Sequence, residues 1–215
     1  MSNRPLFVSF EGIDGCGKST LMEWLSSQLE ERGISHLKTH EPGGTLLGEA
    51  IRGLLLDSAF PEMDSWAETL LYAASRAQHV EEVVRPALQR GLWVLTDRYA
   101  DATLAYQGYG RNLDLARLKA LHDWSTGGLW PDCTVLLDCD VAAAWERMRS
   151  RGGKADRLER QDRSFHERVR GGYLKLAEAE AERFVILDAN LPLHDVMENF
   201  RILFRQRRLS DALES

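Results

Sequence analysis

The run Gly12-Ile13-Asp14-Gly15-Cys16-Gly17-Lys18-Ser19 fits the pattern G-x-x-x-x-G-K-[ST] at every position. It follows an apolar stretch, residues 6–10, that reads as a buried strand. It opens a stretch, residues 18–32, that reads as a helix. No other feature constrains the fold as strongly. Such a loop needs glycines so that backbone N–H groups can turn inward around phosphate oxygens. It also needs a helix N-terminus whose partial positive charge adds to theirs. Gly12 through Thr20 therefore form the expected phosphate-binding segment. Lys18 is expected to reach the β- and γ-phosphates of a nucleotide, and the Ser19 hydroxyl to ligate Mg²⁺.

The rest of the chain repeats the strand-then-helix rhythm. Strands are expected at residues 35–39, 92–96, 133–137 and 184–187, with helices at 46–56, 64–90, 112–126, 141–151 and 161–182 and a last one from Pro192. Pro86 is expected to interrupt the second of these helices, Asn112 to cap the third, and Gly152-Gly153 to stop the fourth. Strands separated by helices imply an α/β fold, a parallel sheet with helices on both faces. Ligands then bind beyond the carboxyl ends of the strands, so the chemistry should follow Phe10, Thr39, Thr96 and Leu137. The 215 residues suit one domain spanning 1–215.

Composition narrows the class. The net charge of −6, without a basic run, argues against direct nucleic-acid binding. Three cysteines without framework spacing argue for a reducing, cytoplasmic setting. No apolar stretch approaches the roughly 20 residues of a membrane span. Cys16 lies at a helix N-terminus, where a thiol pKa can fall, and is read as a small spacer. The phosphate loop alone would serve an ATPase, a GTPase or a kinase. The chain lacks a base-reading Asn-Lys-x-Asp stretch, which favours a nucleotide or nucleoside kinase over a GTPase.

A second element supports that choice. Leu92-Trp93-Val94-Leu95-Thr96-Asp97 is an apolar strand ending in a carboxylate. Asp97 would hold Mg²⁺ near the phosphate loop, and Arg98 could clamp an acceptor phosphate bidentately.

Five segments in order resemble the thymidylate kinase family: Phe10-Glu11-Gly12-Ile13-Asp14-Gly15, Glu41-Pro42-Gly43-Gly44-Thr45, residues 70–76, Asp97-Arg98-Tyr99 followed by Ala105-Tyr106-Gln107-Gly108, and Asp156-Arg157-Leu158-Glu159. The resemblance implies a nucleoside-monophosphate-kinase-like three-layer fold with a five-stranded parallel core, a homodimer, Mg²⁺, and transfer of the γ-phosphoryl group of ATP to dTMP. It implies that Asp14 contacts the sugar 3′-OH and that Arg98 binds the dTMP phosphate. Arg76 would act from the base or phosphate side, Tyr72 would stack on thymine, and Tyr106 would press against C2′. Glu41, Pro42, Arg52, Ala102 and Gln107 would line the acceptor pocket. A lid at about residues 147–160 would bring Arg149 and Arg151 over the transferring group, within a cluster that also includes Arg147 and Arg157. The sequence departs from the family at Tyr72, usually Phe, at Ala102, often Ser, and at His40, often Arg. A kinase for another nucleotide and a protein that only binds nucleotide are the competing readings.

Overall fold

The structure is a computed structural model that describes residues 4–152 and 156–206; the side chains of Arg151, Arg205 and Gln206 lie outside the description. Five strands, β1 (Phe7–Glu11), β2 (His36–His40), β3 (Trp93–Asp97), β4 (Cys133–Asp138) and β5 (Phe184–Asp188), form one parallel sheet in the order β2-β3-β1-β4-β5. Each strand ends one residue later than expected, and β1, β2 and β3 also begin one later. The expected three-layer α/β fold is the one observed.

Alternation along the strands divides the core between the two faces of the sheet. Phe7 and Val94 pack with Val80, Val84 and Ala87. Val8, Phe10 and Leu95 pack on the other face with Leu21, Leu25 and Val169. Every residue of β1 is buried, as a central strand of a doubly covered sheet requires.

The helices are α1 (Lys18–Glu31), α2 (Leu46–Leu56), α3 (Ser65–His79), α4 (Arg85–Gln89), α5 (Ala100–Thr103), α6 (Leu115–Thr126), α7 (Val141–Arg151), α8 (Arg163–Ala179) and α9 (Leu193–Gln206). Pro86 does not break the helix begun at Ser65. A π-helical turn, Val80–Val84, joins α3 to α4. Proline crowds the carbonyl four residues back and gives no N–H, and here the helix widens just before it instead of ending. Asn112 is not a cap. It stands at φ 61, and Asp114 caps α6 by accepting from the Arg117 N–H at 2.8 Å. The helix at 161–182 proves shorter, with Asp162 accepting from the Phe165 N–H at 2.8 Å to begin α8. The sequence reading placed no helix at 100–110, where α5 runs into a second π-helical stretch, Leu104–Gly110. Among the described residues no helix is long and apolar enough to cross a membrane.

Candidate active site

Strand order decides which loops meet. β3 lies beside β1 in the register Phe10↔Asp97, and β2 lies beside β3 with His40↔Asp97. The phosphate loop, the Asp97-Arg98 turn and the Glu41-Pro42 segment thus emerge side by side from one sheet edge.

The loop needs its glycines. Gly12 and Gly15 stand at φ 135 and 85, and a Cβ on them would come within 2.5 Å of the Leu137 carbonyl oxygen and 2.3 Å of the Ala144 carbonyl oxygen. Only glycine adopts these angles without strain. Lys18 Nζ donates to the carbonyls of Gly12 and Ile13, each at 3.2 Å, so the ammonium lies within the ring of the loop. The Ser19 hydroxyl donates to Asp97 Oδ2 at 3.0 Å. Thr20 is exposed in the first turn of α1. Cys16 is buried beside this ring, and burial pushes its thiol pKa up against the pull of Lys18 and Arg98. The expected fall at a helix N-terminus does not occur, because desolvation outweighs the nearby positive charge.

Asp14 and Arg98 form the centre. Arg98 Nη2 donates to Asp14 Oδ1 at 2.7 Å and to the Tyr106 hydroxyl at 3.1 Å, and its Nη1 donates to the Gly12 carbonyl at 2.9 Å. Its guanidinium lies 4.9 Å from the Tyr106 ring centroid, and Tyr106 donates to Asp14 Oδ2 at 3.3 Å. Burial alone would push the Asp14 carboxyl up, but Arg98 and Lys18 outweigh it and hold it well below the usual carboxylate range. Glu41 behaves alike: burial raises it, and Arg76 with His79 more than reverses this.

Two cavities share this centre. A cleft of about 500 Å³ is bordered by the phosphate loop, Lys38, Thr39, His40 and Asp97. A smaller cavity of about 80 Å³ is lined by Pro42, Leu56, Tyr72, Ala102, Thr103, Tyr106, Gln107, Asp156 and Leu158. Asp14, Glu41, Arg52 and Arg98 border both. Arg52 is held by donating to the Pro42 carbonyl at 2.9 Å. Burial and the Glu68 charge raise the Tyr72 phenol above its ordinary value, so it stays neutral in the wall.

Not every expected residue faces these cavities. Arg76 lies behind the wall. Its Nε pairs with Glu41 Oε2 at 2.8 Å, and its Nη2 donates to the Tyr99 carbonyl at 3.2 Å and to Thr103 Oγ1 at 2.9 Å. Arg157 is not a cation over the phosphates. It is 3% exposed, pairs with Glu68 Oε2 at 2.6 Å and donates to the Leu55 carbonyl at 2.9 Å. Arg147 is likewise engaged, donating to the Ala189 carbonyl at 2.9 Å. Arg149 is exposed on α7, while the Arg151 side chain and residues 153–155 lie outside the description. His40 pairs with Glu49 at 2.8 Å beside the cleft.

Four residues of the smaller cavity had drawn no attention as a pocket wall: Leu56, Thr103, Asp156 and Leu158. The Asp156-Arg157-Leu158-Glu159 motif marked the last two, but as part of a lid. Thr103 carried no signal, since it lies in the helical stretch that the sequence did not reveal.

A parallel sheet whose central strand feeds a phosphate loop, beside a second, smaller cavity that meets the first at Asp14, Glu41, Arg52 and Arg98, defines a P-loop phosphotransferase of the nucleoside-monophosphate-kinase kind. The family model described as thymidylate kinase matches residues 10–200. A thymidylate kinase of Desulfovibrio desulfuricans is 52% identical over 198 residues, covering 89% of this chain and 91% of that one. One of Geotalea daltonii is 50% identical, with 85% and 88% covered, and one of Desulforudis audaxviator is 52% identical, with 86% and 83% covered. The chain belongs to the thymidylate kinase family, whose members phosphorylate dTMP to dTDP with ATP.

Proposed function

We propose that the chain carries out this reaction with ATP in the larger cleft and dTMP in the smaller cavity, the two phosphates meeting at Arg98. The observation that carries this is the shared border: Asp14, Glu41, Arg52 and Arg98 face both spaces. No nucleophile is needed from the protein, because a dTMP phosphate oxygen attacks the γ-phosphorus in line. Positioning and positive charge do the catalytic work. Lys18 and the loop N–H groups hold the donor. Arg98 grips the acceptor phosphate while Asp14, ionised at neutral pH, fixes the guanidinium and is placed toward the sugar. Tyr72, Ala102, Gln107 and Pro42 form the base pocket, with Arg76 holding Glu41 and Thr103 in place behind it.

Ser19 and Asp97 present hard oxygen donors side by side, which fits Mg²⁺. When bound there, the ion neutralises charge on the β- and γ-phosphates. Arg149 and Arg151 are assigned to supply further charge from a lid at about 147–160. The helix that carries them abuts the phosphate loop through the Ala144 carbonyl. Three cysteines without framework spacing, all buried, support a cytoplasmic setting.

The test is turnover with ATP, Mg²⁺ and a panel of dTMP, dUMP, UMP, dCMP, dGMP and thymidine. Fast conversion of dTMP, slower dUMP and little else is expected. Preference for another acceptor would discard the thymine pocket, and ATP binding without turnover would leave only a nucleotide-binding protein.

Tyr106→Ala is expected to lower the preference for deoxyribose over ribose acceptors about tenfold, since the ring that fills the space beside C2′ is gone. The ratio of kcat/KM for dTMP and its ribonucleotide measures this, and an unchanged ratio would remove Tyr106 from that role.

We also propose a homodimer through α2 and α3. Leu46, Leu47, Leu54 and Leu70 on these helices, and Phe60 between them, are exposed. A cluster of this kind is unusual on a monomer surface. Leu54→Glu combined with Leu70→Glu should turn the protein from dimer to monomer in light scattering. A wild-type protein that is already monomeric would end this proposal.

A further inference from the structure

The turn that presents Arg98 is strained, and a buried carboxylate outside the cavities holds it. Arg98 stands at φ 70, a left-handed conformation that a side chain with a Cβ rarely adopts. Its N–H donates to the Phe10 carbonyl at 3.0 Å, and its carbonyl accepts from Thr96 Oγ1 at 2.9 Å. The next residue is fixed by Glu11, the last residue of β1, which is fully buried. Glu11 Oε1 accepts from the Tyr99 N–H at 2.7 Å and from Ser9 Oγ at 2.9 Å. Its Oε2 accepts from the Tyr173 hydroxyl at 2.8 Å, and that hydroxyl also receives Arg98 Nη1 at 3.3 Å.

We propose that Glu11 is a positioning residue for Arg98, holding its strained backbone through Tyr99 and orienting its guanidinium through the Tyr173 hydroxyl. The proposal rests on the reading that Arg98 grips the acceptor phosphate. Chemistry explains why a carboxylate is needed. An ionised carboxylate only accepts, so the Tyr173 proton is committed to Glu11 and a lone pair is left for Arg98. Glutamine cannot reproduce this. With its amide nitrogen toward Ser9 and Tyr99 it would face the Tyr99 N–H, a fixed donor, and lose that hydrogen bond. With the nitrogen toward Tyr173 it would turn the hydroxyl proton toward Arg98. The charged groups around Glu11 are Arg98 and Asp101, the latter paired with Arg183 at 2.6 and 2.9 Å. Burial, then Asp101, pushes the Glu11 carboxyl up to about 7, so about pH 8 is the condition at which it is ionised.

The test is calorimetric titration of dTMP and of thymidine, which lacks the phosphate, into the full chain and its Glu11→Gln, Tyr173→Phe and Arg98→Met variants. In Glu11→Gln the ratio of dTMP to thymidine affinity should fall about tenfold, with thymidine itself unchanged, as expected for weakened hydrogen bonds to a charged group. Tyr173→Phe should lower it in the same direction, and the double variant should be no worse than Glu11→Gln, because both act on one relay. Arg98→Met should show the largest fall. If Arg98→Met collapses the ratio while Glu11→Gln and Tyr173→Phe leave it unchanged, the positioning role is wrong and the reading of Arg98 stands. A Glu11→Gln variant that loses dTMP and thymidine equally also overturns the proposal. An unchanged ratio in Arg98→Met overturns the underlying reading instead. If Glu11→Gln does not fold, Tyr173→Phe, which removes one oxygen, decides.

Discussion

Lys18→Ala lowers kcat by about a thousandfold or more and moves the KM for dTMP only a few-fold; this is the largest kinetic effect expected of any single substitution here. Lys18 is 6% exposed and its ammonium rests on two carbonyls of the phosphate loop. A charge in so dry a place acts on phosphate oxygens with little screening. Its value rises as negative charge spreads over the transferring group, so its loss is felt in the transition state more than in acceptor binding. The fold should survive, because Asp14 keeps its closer partner, Arg98 at 2.7 Å, after losing Lys18 at 3.8 Å. Steady-state kinetics with unfolding midpoints measure both halves. Near-normal turnover would remove the phosphate loop from the mechanism.

Glu68→Ala carries the largest expected effect on stability, a loss of about 3–5 kcal/mol, the range for breaking a buried charge pair from one side. Glu68 is fully buried on α3 and collects three donors: Gln107 at 2.8 Å, Arg111 at 3.2 Å and Arg157 at 2.6 Å. The Arg157 guanidinium already has one buried nitrogen, Nη2, without a hydrogen bond among the described residues. Removing the carboxylate would leave that cation buried and uncompensated. The cost should therefore be partly recovered when Arg157 is removed as well: Glu68→Leu with Arg157→Leu is expected to be more stable than Glu68→Ala. Urea unfolding of the three proteins tests this, and a double variant as unstable as the single one would contradict it. The same substitution should raise the KM for dTMP, because Gln107 and the Asp156–Leu158 segment that it holds line the smaller cavity.

Arg157 shows where sequence reading reaches its limit. Arg147, Arg149 and Arg157 are alike in type and near in sequence, and all were expected to gather over the phosphates. What separates them is burial. Arg157 meets a carboxylate from α3 and Arg147 a carbonyl beyond β5, while Arg149 remains exposed. The helical stretch at 100–110 was hidden for a different reason. It holds two glycines and a π-helical turn, so it lacks the 3.6-residue period by which helices are recognised. Asn112 and Asp114 are equally good caps by type, and only backbone conformation chose between them.

The phosphate loop was legible because its chemistry is contiguous: residues 12–19 make the turn, supply the N–H groups and begin the helix without help from elsewhere. Asp97 was legible because a carboxylate ending an apolar strand is itself a local pattern. The centre of the site was not local. Asp14, Arg98 and Tyr106 are brought together across separations of 84 and 92 residues, and Glu11 meets Tyr173 across 162. These meetings depend on β3 inserting between β2 and β1 and on α8 packing against β4, β5 and the helical stretch Leu104–Gly110. Those choices are made by burial of both sheet faces at once, a property of the whole chain that no short stretch of it records.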